Sequence, residues 1–138
     1  MGAMLVRHEA RSASAVRHEL TADLDGQGVD RDSIDTATLV ASELVGNAVR
    51  HTNACEDDDL DVGWTVHDDI VLISVEDPST DVPVLHHPTP DATSGRGLSI
   101  VDALTTDWGF EHTPRGKRVW AKVRVNASRL RGQAAHHA

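Results

Sequence analysis

"ELVGNAVRHT", Glu43 to Thr52, is the stretch of sequence that decides the fold. Its apolar residues have the spacing of an amphipathic helix, but a carboxylate, a carboxamide and two basic side chains recur at the same spacing. Because side chains four residues apart on a helix differ by only about 40° in direction, Glu43, Asn47 and His51 should form one ridge, with Arg50 at its edge. A solvated helix face and a binding site are both open interpretations of this ridge.

Patterns on either side of this stretch predict a regular order of elements. Apolar or small residues at helical spacing indicate one helix over 8–24 and a second, which contains the quoted stretch, from about Asp32 to Asn53. Strand patterns over 60–66 and from Ile70 predict an antiparallel hairpin. "RGLSIVDAL" then indicates a short helix, and a second hairpin is predicted from strands at 108–112 and 118–125.

This order predicts a two-layer α/β sandwich, in which about three helices cover one face of a mixed, mostly antiparallel sheet. Residues 78–97 are rich in Pro, Thr, Ser, Asp and Gly, which is typical of a long functional loop. We expect one domain over 1–126 and a flexible tail over 127–138. Trp64, Trp108 and Trp120 fall on predicted strands and are expected in the core.

The composition limits the class of protein. The chain has 138 residues, the size of one domain, and 39% hydrophobic residues, within the globular range. A formal net charge of −9 repels polyanions, so we expect no direct nucleic-acid partner. The single cysteine, Cys55, excludes an internal disulfide and fits a reducing cytoplasm, and the absence of a long apolar run predicts no membrane span. We therefore expect a cytoplasmic protein.

Two motifs downstream favour a site over a solvated face. "VEDPS" places Asp77 at the end of a predicted buried strand, and "TSGRGLSIV" places Gly95 and Gly97 at the start of a helix. Backbone N–H groups at a helix N-terminus favour phosphate, and a carboxylate can accept a hydrogen bond from an exocyclic amine. A carboxamide oxygen such as that of Asn47 would suit Mg²⁺. Together these residues predict a nucleotide pocket, although Asp77 could also be a turn carboxylate before Pro78.

"ELVGNAVRH", "VEDPS" and "GRGLSIVDAL", in this order, resemble the N, G1 and G2 boxes of the GHKL (Bergerat-fold) ATP-binding superfamily. The resemblance is to the small anti-sigma-factor serine kinases and their actinobacterial relatives in particular. It covers nearly the whole chain, from the first helix through "GKRVW". Three ordered motifs are more specific than any one of them.

The resemblance implies a role for each matching residue. Glu43 would be the general base for the attacking hydroxyl, Asn47 would bind the Mg²⁺ that bridges the ATP phosphates, and Asp77 would contact the adenine amino group. Ser79 would leave room beside the base. The remaining nucleotide-binding residues that the resemblance implies are Arg50, His51, Gly95, Arg96, Gly97 and Leu98.

Some of these roles have alternatives. His51 could orient Glu43 or contact phosphate, or with Arg50 it could balance the helix dipole as a C-terminal cation. Arg96 could clamp phosphate or face a partner or solvent. Gly95 and Gly97 would let the loop close over the phosphates, with the Leu98 N–H as a further phosphate contact.

Two departures from the family pattern predict weaker nucleotide binding. The first glycine box of the family usually reads Asp-x-Gly-x-Gly, whereas "DPSTD" has Pro78 and Ser79 after the aspartate and contains no glycine. "GKRVW" has Arg118 after Gly-Lys, where many relatives have a threonine that helps to hold adenine through a water.

The resemblance implies an ATP-dependent protein serine/threonine kinase that phosphorylates an anti-sigma-factor antagonist and/or sequesters a sigma factor. Relatives commonly dimerise, so a homodimer is also an expectation. The alternative is a non-catalytic nucleotide-sensing or partner-binding module with a degenerate ATP site. A zinc site at His86 and His87 is not supported, because neighbouring residues of an extended loop point apart and no regular ligand spacing accompanies them.

Overall fold

The computed structural model describes residues 2–7, 9–51, 59–78 and 96–126, and of residues 50, 51 and 96–99 it describes the backbone. These residues form strands and helices in the order β1 (Gly2–Arg7), α1 (Ser12–Gly26), α2 (Arg31–His51), β2 (Asp59–His67), β3 (Ile70–Asp77), α3 (Arg96–Leu104), β4 (Asp107–His112) and β5 (Lys117–Arg124). The order predicted from sequence is confirmed, with β1 added at its start. Most of the predicted loop and the predicted tail, residues 79–95 and 127–138, lie outside the described residues.

The strands form one sheet in the order β1-β2-β3-β5-β4. Each of its four pairings is antiparallel, so the described sheet has none of the mixed character expected from sequence. All three helices belong to the other layer, where α2 packs against α1, α3, β3 and β5. The predicted two-layer α/β sandwich is confirmed. No helix among the described residues is long and apolar enough to cross a membrane.

The core lies between the sheet and the helices and is built mainly from aliphatic side chains. Alternation along each strand sends one set of side chains toward the helices. That set includes Val62 and Trp64 of β2, Val71, Ile73 and Val75 of β3, and Val119, Ala121 and Val123 of β5, all of them buried. From the helices, the fully buried side chains include Leu20 and Leu24 of α1 and Val40 and Leu44 of α2.

The three tryptophans differ in their surroundings. Trp64 is buried, and its indole N–H donates to Asp23 Oδ2 on α1 at 2.6 Å. Trp108 is partly buried against the core. Trp120 is only half-buried and pairs in register with Ser74, on the sheet face away from the helices. The prediction that Trp120 lies in the core was therefore wrong. Side chains alternate along the strand, and those of Val119 and Ala121 on either side of Trp120 point toward the helices.

The edge strand β1 was missed from sequence. It pairs with β2 from Gly2↔Trp64 to Arg7↔Asp59. Its outward positions Ala3 and Leu5 are apolar, like its inward positions, and Leu5 is 63% exposed, so the strand lacks an alternation of apolar and polar residues. A sequence search for amphipathic periods finds little signal in such a strand.

The first helix begins at Ser12 rather than at the predicted residue 8, because β1 continues to Arg7. The Ser12 hydroxyl donates to the Arg7 carbonyl at 2.6 Å and ties the helix start to the strand end. At the other end Gly28 has a φ of 85°, and the Val29 N–H donates to the Leu24 carbonyl. Glycine adopts this left-handed conformation at no steric cost, so it can end the helix.

Candidate functional site

Helix α2 is fixed at its N-terminal end beside the end of β5. The Ser33 hydroxyl accepts a hydrogen bond from the Asn126 N–H at 2.8 Å, and the Asp30 N–H donates to the Asn126 carbonyl at 2.8 Å. Asn47 lies fourteen residues after Ser33, about 21 Å along the helix axis. The seven steps from Arg124 back to Lys117 span about 23 Å of strand. Because α2 packs on β3 and β5, its C-terminal half extends toward the Lys117 end of the sheet.

Helix α3 runs in the opposite direction. After this helix ends at Leu104, the Thr106 N–H donates to the Lys122 carbonyl at 2.9 Å, near the C-terminal end of β5. The indole N–H of Trp108 donates to Asp102 Oδ1 at 3.0 Å and holds the helix against β4. The N-terminal end of α3, at Arg96, therefore points back toward the Lys117 end. The partial positive charge of a helix N-terminus favours anions there.

Asp77 ends β3 at this same end of the sheet. It is in register with Lys117, the first residue of β5, and belongs to the side-chain set that faces the helices. Its exposed fraction is 0%, whereas that of Lys117 is 2%. The Lys117 Nζ lies 3.3 Å from both Asp77 Oδ1 and Asp77 Oδ2. A buried carboxylate at a strand end is thus paired with a buried ammonium.

Gly116 permits this arrangement. A Cβ atom at position 116 would overlap backbone atoms of Asp77 and Pro78, so the chain before β5 can approach the end of β3 only with a glycine. The turn itself is closed by the Thr113 N–H, which donates to the Gly116 carbonyl at 3.0 Å. This contact between backbones places Lys117 directly opposite Asp77.

In "GKRVW" the residue opposite Asp77 is Lys117 and not Arg118. Arg118, to which the sequence assigned the departure from the family pattern, lies on the other face of the sheet. Its guanidinium contacts Glu76 Oε2 at 3.0 Å and Glu111 Oε1 at 3.1 Å. Lys117 is the residue that faces Asp77, and sequence reasoning missed it. The sequence does carry a signal for Lys117. Val119, Ala121 and Val123 alternate toward the core, and Lys117, two residues before Val119, follows the same alternation.

Two residues of the predicted polar ridge of α2, Glu43 and Asn47, have little or reduced exposure to solvent. Asn47 is 5% exposed and Glu43 is half-buried, so neither side chain lies on a freely solvated face. Asn47 follows Val40 and Leu44 along the buried side of the helix, at helical spacing. A carboxamide buried at the edge of a core is the kind of group that needs a polar partner.

The other predicted site residues are only partly described. Arg50 and His51 occupy the last turn of α2, and Arg96, Gly97 and Leu98 form the first turn of α3. The structure describes the backbone of all five residues. Ser79 and Gly95 lie outside the described residues.

The residues present fit a nucleotide with a bound Mg²⁺. The described part of the chain contains no group of three or more His, Cys, Asp or Glu side chains that could hold a metal ion by themselves. Magnesium is typically bound through one or two protein oxygens together with substrate phosphates and water. The buried carboxamide of Asn47 could supply such a protein oxygen. It lies at the end of the molecule toward which the N-terminus of α3 points. The carboxylate of Asp77 is the group that would accept a hydrogen bond from a base.

A separate groove of about 410 Å³ lies on the opposite face of the sheet. Leu72, Ser74, Glu76, Arg118 and Trp120 are among its lining residues. None of these five side chains belongs to the set that faces the helices, because each alternates with a buried residue of its strand. This groove is therefore distinct from the Asp77 site.

Comparison with known proteins agrees with this geometry. The sequence matches the family described as the histidine kinase-like ATPase domain over residues 6–123. Among curated proteins no match is found. The match to this family confirms the resemblance to GHKL-type ATPase domains that the three motifs carry.

The fold is also similar to that of solved structures. The RsbU and RsbW domains of Rv1364c from Mycobacterium tuberculosis superpose with a TM-score of 0.67 at 22% identity, covering 91% of this chain and 33% of that chain. This chain thus spans about a third of the length of that protein's crystallised chain. The Acinetobacter baumannii histidine kinase AdeS gives a TM-score of 0.44 at 17% identity, covering 91% of this chain and 68% of that chain. The first likeness shows a shared fold.

Proposed function

The chain belongs to the histidine kinase-like ATPase domain family, and from this premise we propose that it is an ATP-dependent protein serine kinase of the anti-sigma-factor type. It would transfer the γ-phosphoryl group of ATP to a serine of an anti-sigma-factor antagonist and, in another state, sequester a sigma factor. One observation carries the proposal: Glu43 and Asn47 are one turn apart on the half of α2 that extends toward Asp77, with Asn47 buried and Glu43 half-buried.

Two further findings support the proposal. The ordered motifs of the chain resemble those of the small anti-sigma-factor serine kinases. The chain also shares its fold with a protein that contains an RsbW domain. Neither names the sigma factor or the antagonist, which would be protein partners of this domain.

At the base end, Asp77 would accept a hydrogen bond from the exocyclic amine of adenine. Asp77 is buried, and a hydrogen bond is electrostatically stronger in surroundings of low polarity. At the phosphate end, the first turn of α3, at Arg96, Gly97 and Leu98, would present backbone N–H groups to the phosphates. Gly95 would precede it, and Ser79 would lie beside the base.

Asn47 would supply a carboxamide oxygen to Mg²⁺, which when bound to ATP neutralises charge on the phosphates. Glu43 would accept the proton of the attacking serine hydroxyl, since a carboxylate one helical turn before the residue that would hold the metal can act as a general base for a hydroxyl attacking phosphate. Arg50 and His51, one turn beyond Asn47, would add positive charge at the same end of the helix. Phosphoryl transfer depends mainly on such positioning and charge stabilisation.

A second candidate function is a nucleotide-sensing or partner-binding module without phosphoryl transfer. The observation that favours it is the buried pair of Lys117 and Asp77, because the ammonium contacts both oxygens of the carboxylate expected to bind adenine. A pocket closed by this pair would leave a domain that binds its partners through its surface.

The kinase proposal is tested with labelled ATP, Mg²⁺ and a candidate antagonist carrying a serine acceptor. Glu43→Gln should lower the rate of phosphoryl transfer about 10²- to 10⁴-fold, the usual contribution of a general base, while ATP binding is retained. Glu19→Gln, the same chemical change at an exposed position of α1, is the matched control and should leave the rate unchanged. Equal rates for all three proteins would refute the role of Glu43. Retained ATP binding without any transfer would favour the non-catalytic module.

A further inference from the structure

We propose that Lys117 is a specificity-determining residue at the base end of the site, where its ammonium donates a hydrogen bond to ring nitrogen N1 of adenine. Asp77 would at the same time accept a hydrogen bond from the exocyclic amine of the same base. This inference rests on the proposed ATP function and deepens it, because it assigns a residue that selects the base.

The first argument is position. Lys117 is the β5 residue in register with Asp77, and both side chains face the helices. Gly116 holds the start of β5 against Asp77 and Pro78 at a distance that no Cβ would permit. A base that contacts the Asp77 carboxylate must therefore meet the Lys117 ammonium as well.

The second argument is the unused hydrogen-bonding capacity of the ammonium. The Lys117 side chain is 3% exposed, so water has little access to it. Within the part of the chain that the structure describes, the acceptor that its Nζ contacts is the Asp77 carboxylate, at 3.3 Å from each oxygen. Charge-assisted N–H···O bonds are usually about 2.7–2.9 Å long, so this contact is loose. An ammonium has more N–H donors than this contact uses, and a buried donor without a partner is costly.

The third argument is chemical complementarity. The edge of adenine presents a donor, the exocyclic amine, beside an acceptor, ring nitrogen N1. A carboxylate alone can accept from the amine, but its negative charge is unfavourable next to the lone pair of N1. A carboxylate with an adjacent ammonium offers an acceptor beside a donor and matches both atoms. Such a site discriminates strongly against a base that leaves one of its buried polar groups unpaired.

The direct test keeps the protein unchanged and removes the acceptor from the ligand. Calorimetry compares the binding of ATP with that of 1-deaza-ATP, in which a C–H group replaces N1. We expect 1-deaza-ATP to bind about 10- to 100-fold more weakly, as for the loss of a hydrogen bond to a charged group. Equal affinity for the two nucleotides would overturn the inference, while ATP binding itself would leave the proposed function standing. No binding of either nucleotide would overturn both.

Variants at position 117 then assign the effect to the lysine. Lys117→Gln keeps a donor without the charge and should preserve part of the preference for ATP over 1-deaza-ATP, whereas Lys117→Thr should abolish it. Arg118→Met is the matched control, because it also removes one positive charge, but from the other face of the sheet, where Arg118 pairs with Glu76. This variant should leave the preference for ATP over 1-deaza-ATP unchanged. Tighter ATP binding by Lys117→Thr than by the parent protein would contradict the inference, because the lysine would then block the base. Thermal unfolding of each variant identifies any that fails to fold, and the ligand comparison in the parent protein does not depend on them.

Discussion

Two consecutive residues of β5 show how strongly the direction of a side chain decides its role. Lys117 is paired with Asp77 in the buried layer, and Arg118 is paired with Glu76 on the open face. The Lys117 side chain is 3% exposed and that of Arg118 is 42% exposed. Both pairs join opposite charges across the same two strands, yet their surroundings differ in access to water. Their contributions to stability should differ accordingly.

At this scale we predict that Lys117→Met lowers the free energy of unfolding by about 3–5 kcal/mol, because it removes the ammonium that is paired with the buried Asp77 carboxylate. Arg118→Met should cost about 1 kcal/mol or less, since water screens the pair it removes. Urea denaturation of both variants measures the difference. The double variant Asp77→Asn/Lys117→Met, which removes both charges, should recover most of the loss. Equal destabilisation by the two single substitutions would show that the Lys117–Asp77 pair is screened by water as much as the Arg118–Glu76 pair.

At the scale of single elements, helix α2 matters most because it carries Glu43 and Asn47. Asp30 precedes the helix, and its Oδ1 accepts a hydrogen bond from the Ser33 N–H at 2.9 Å, which is an N-cap interaction. The same end of α2 is bonded to Asn126 after β5. The start of the helix thus fixes where its far end meets the sheet.

We predict that Asp30→Ala destabilises the protein by about 1 kcal/mol, whereas Asp30→Asn, which retains a capping oxygen, changes stability little. The midpoint of thermal unfolding for the two variants is the measurement. A loss of the same size in both would mean that the charge of Asp30, and not the cap, is what stabilises the helix.

Sequence reasoning located most elements because their signals are local. The period of α2 and the alternation of β2, β3 and β5 follow from one buried face each, and these elements appear where they were predicted. The edge strand β1 was missed because its exposed positions Ala3 and Leu5 are apolar, so its sequence does not alternate. The pairing of Lys117 with Asp77 was missed because it depends on the register between strands 40 residues apart in sequence, which local patterns do not fix.

At the scale of the whole molecule, the sandwich brings the ends of several helices and strands toward the same end of the sheet. The C-terminal half of α2, the N-terminus of α3, the end of β3 and the start of β5 all lie toward one end of the sheet. The sequence motifs predicted these residues as one nucleotide site, and the fold brings their segments toward the same end of the molecule. Their roles stay predictions, as do those of Ser79 and Gly95, which lie outside the described residues.

The central claim is that this end of the molecule binds Mg-ATP, and calorimetry with Mg-ATP tests it most directly. We predict measurable binding by the parent protein and affinity at least about tenfold lower for Asn47→Ala, which removes the proposed metal ligand, while Glu19→Gln binds like the parent. Binding should also weaken when Mg²⁺ is removed with a chelator. No heat from the parent protein at millimolar nucleotide, or unchanged affinity in Asn47→Ala, would contradict the account.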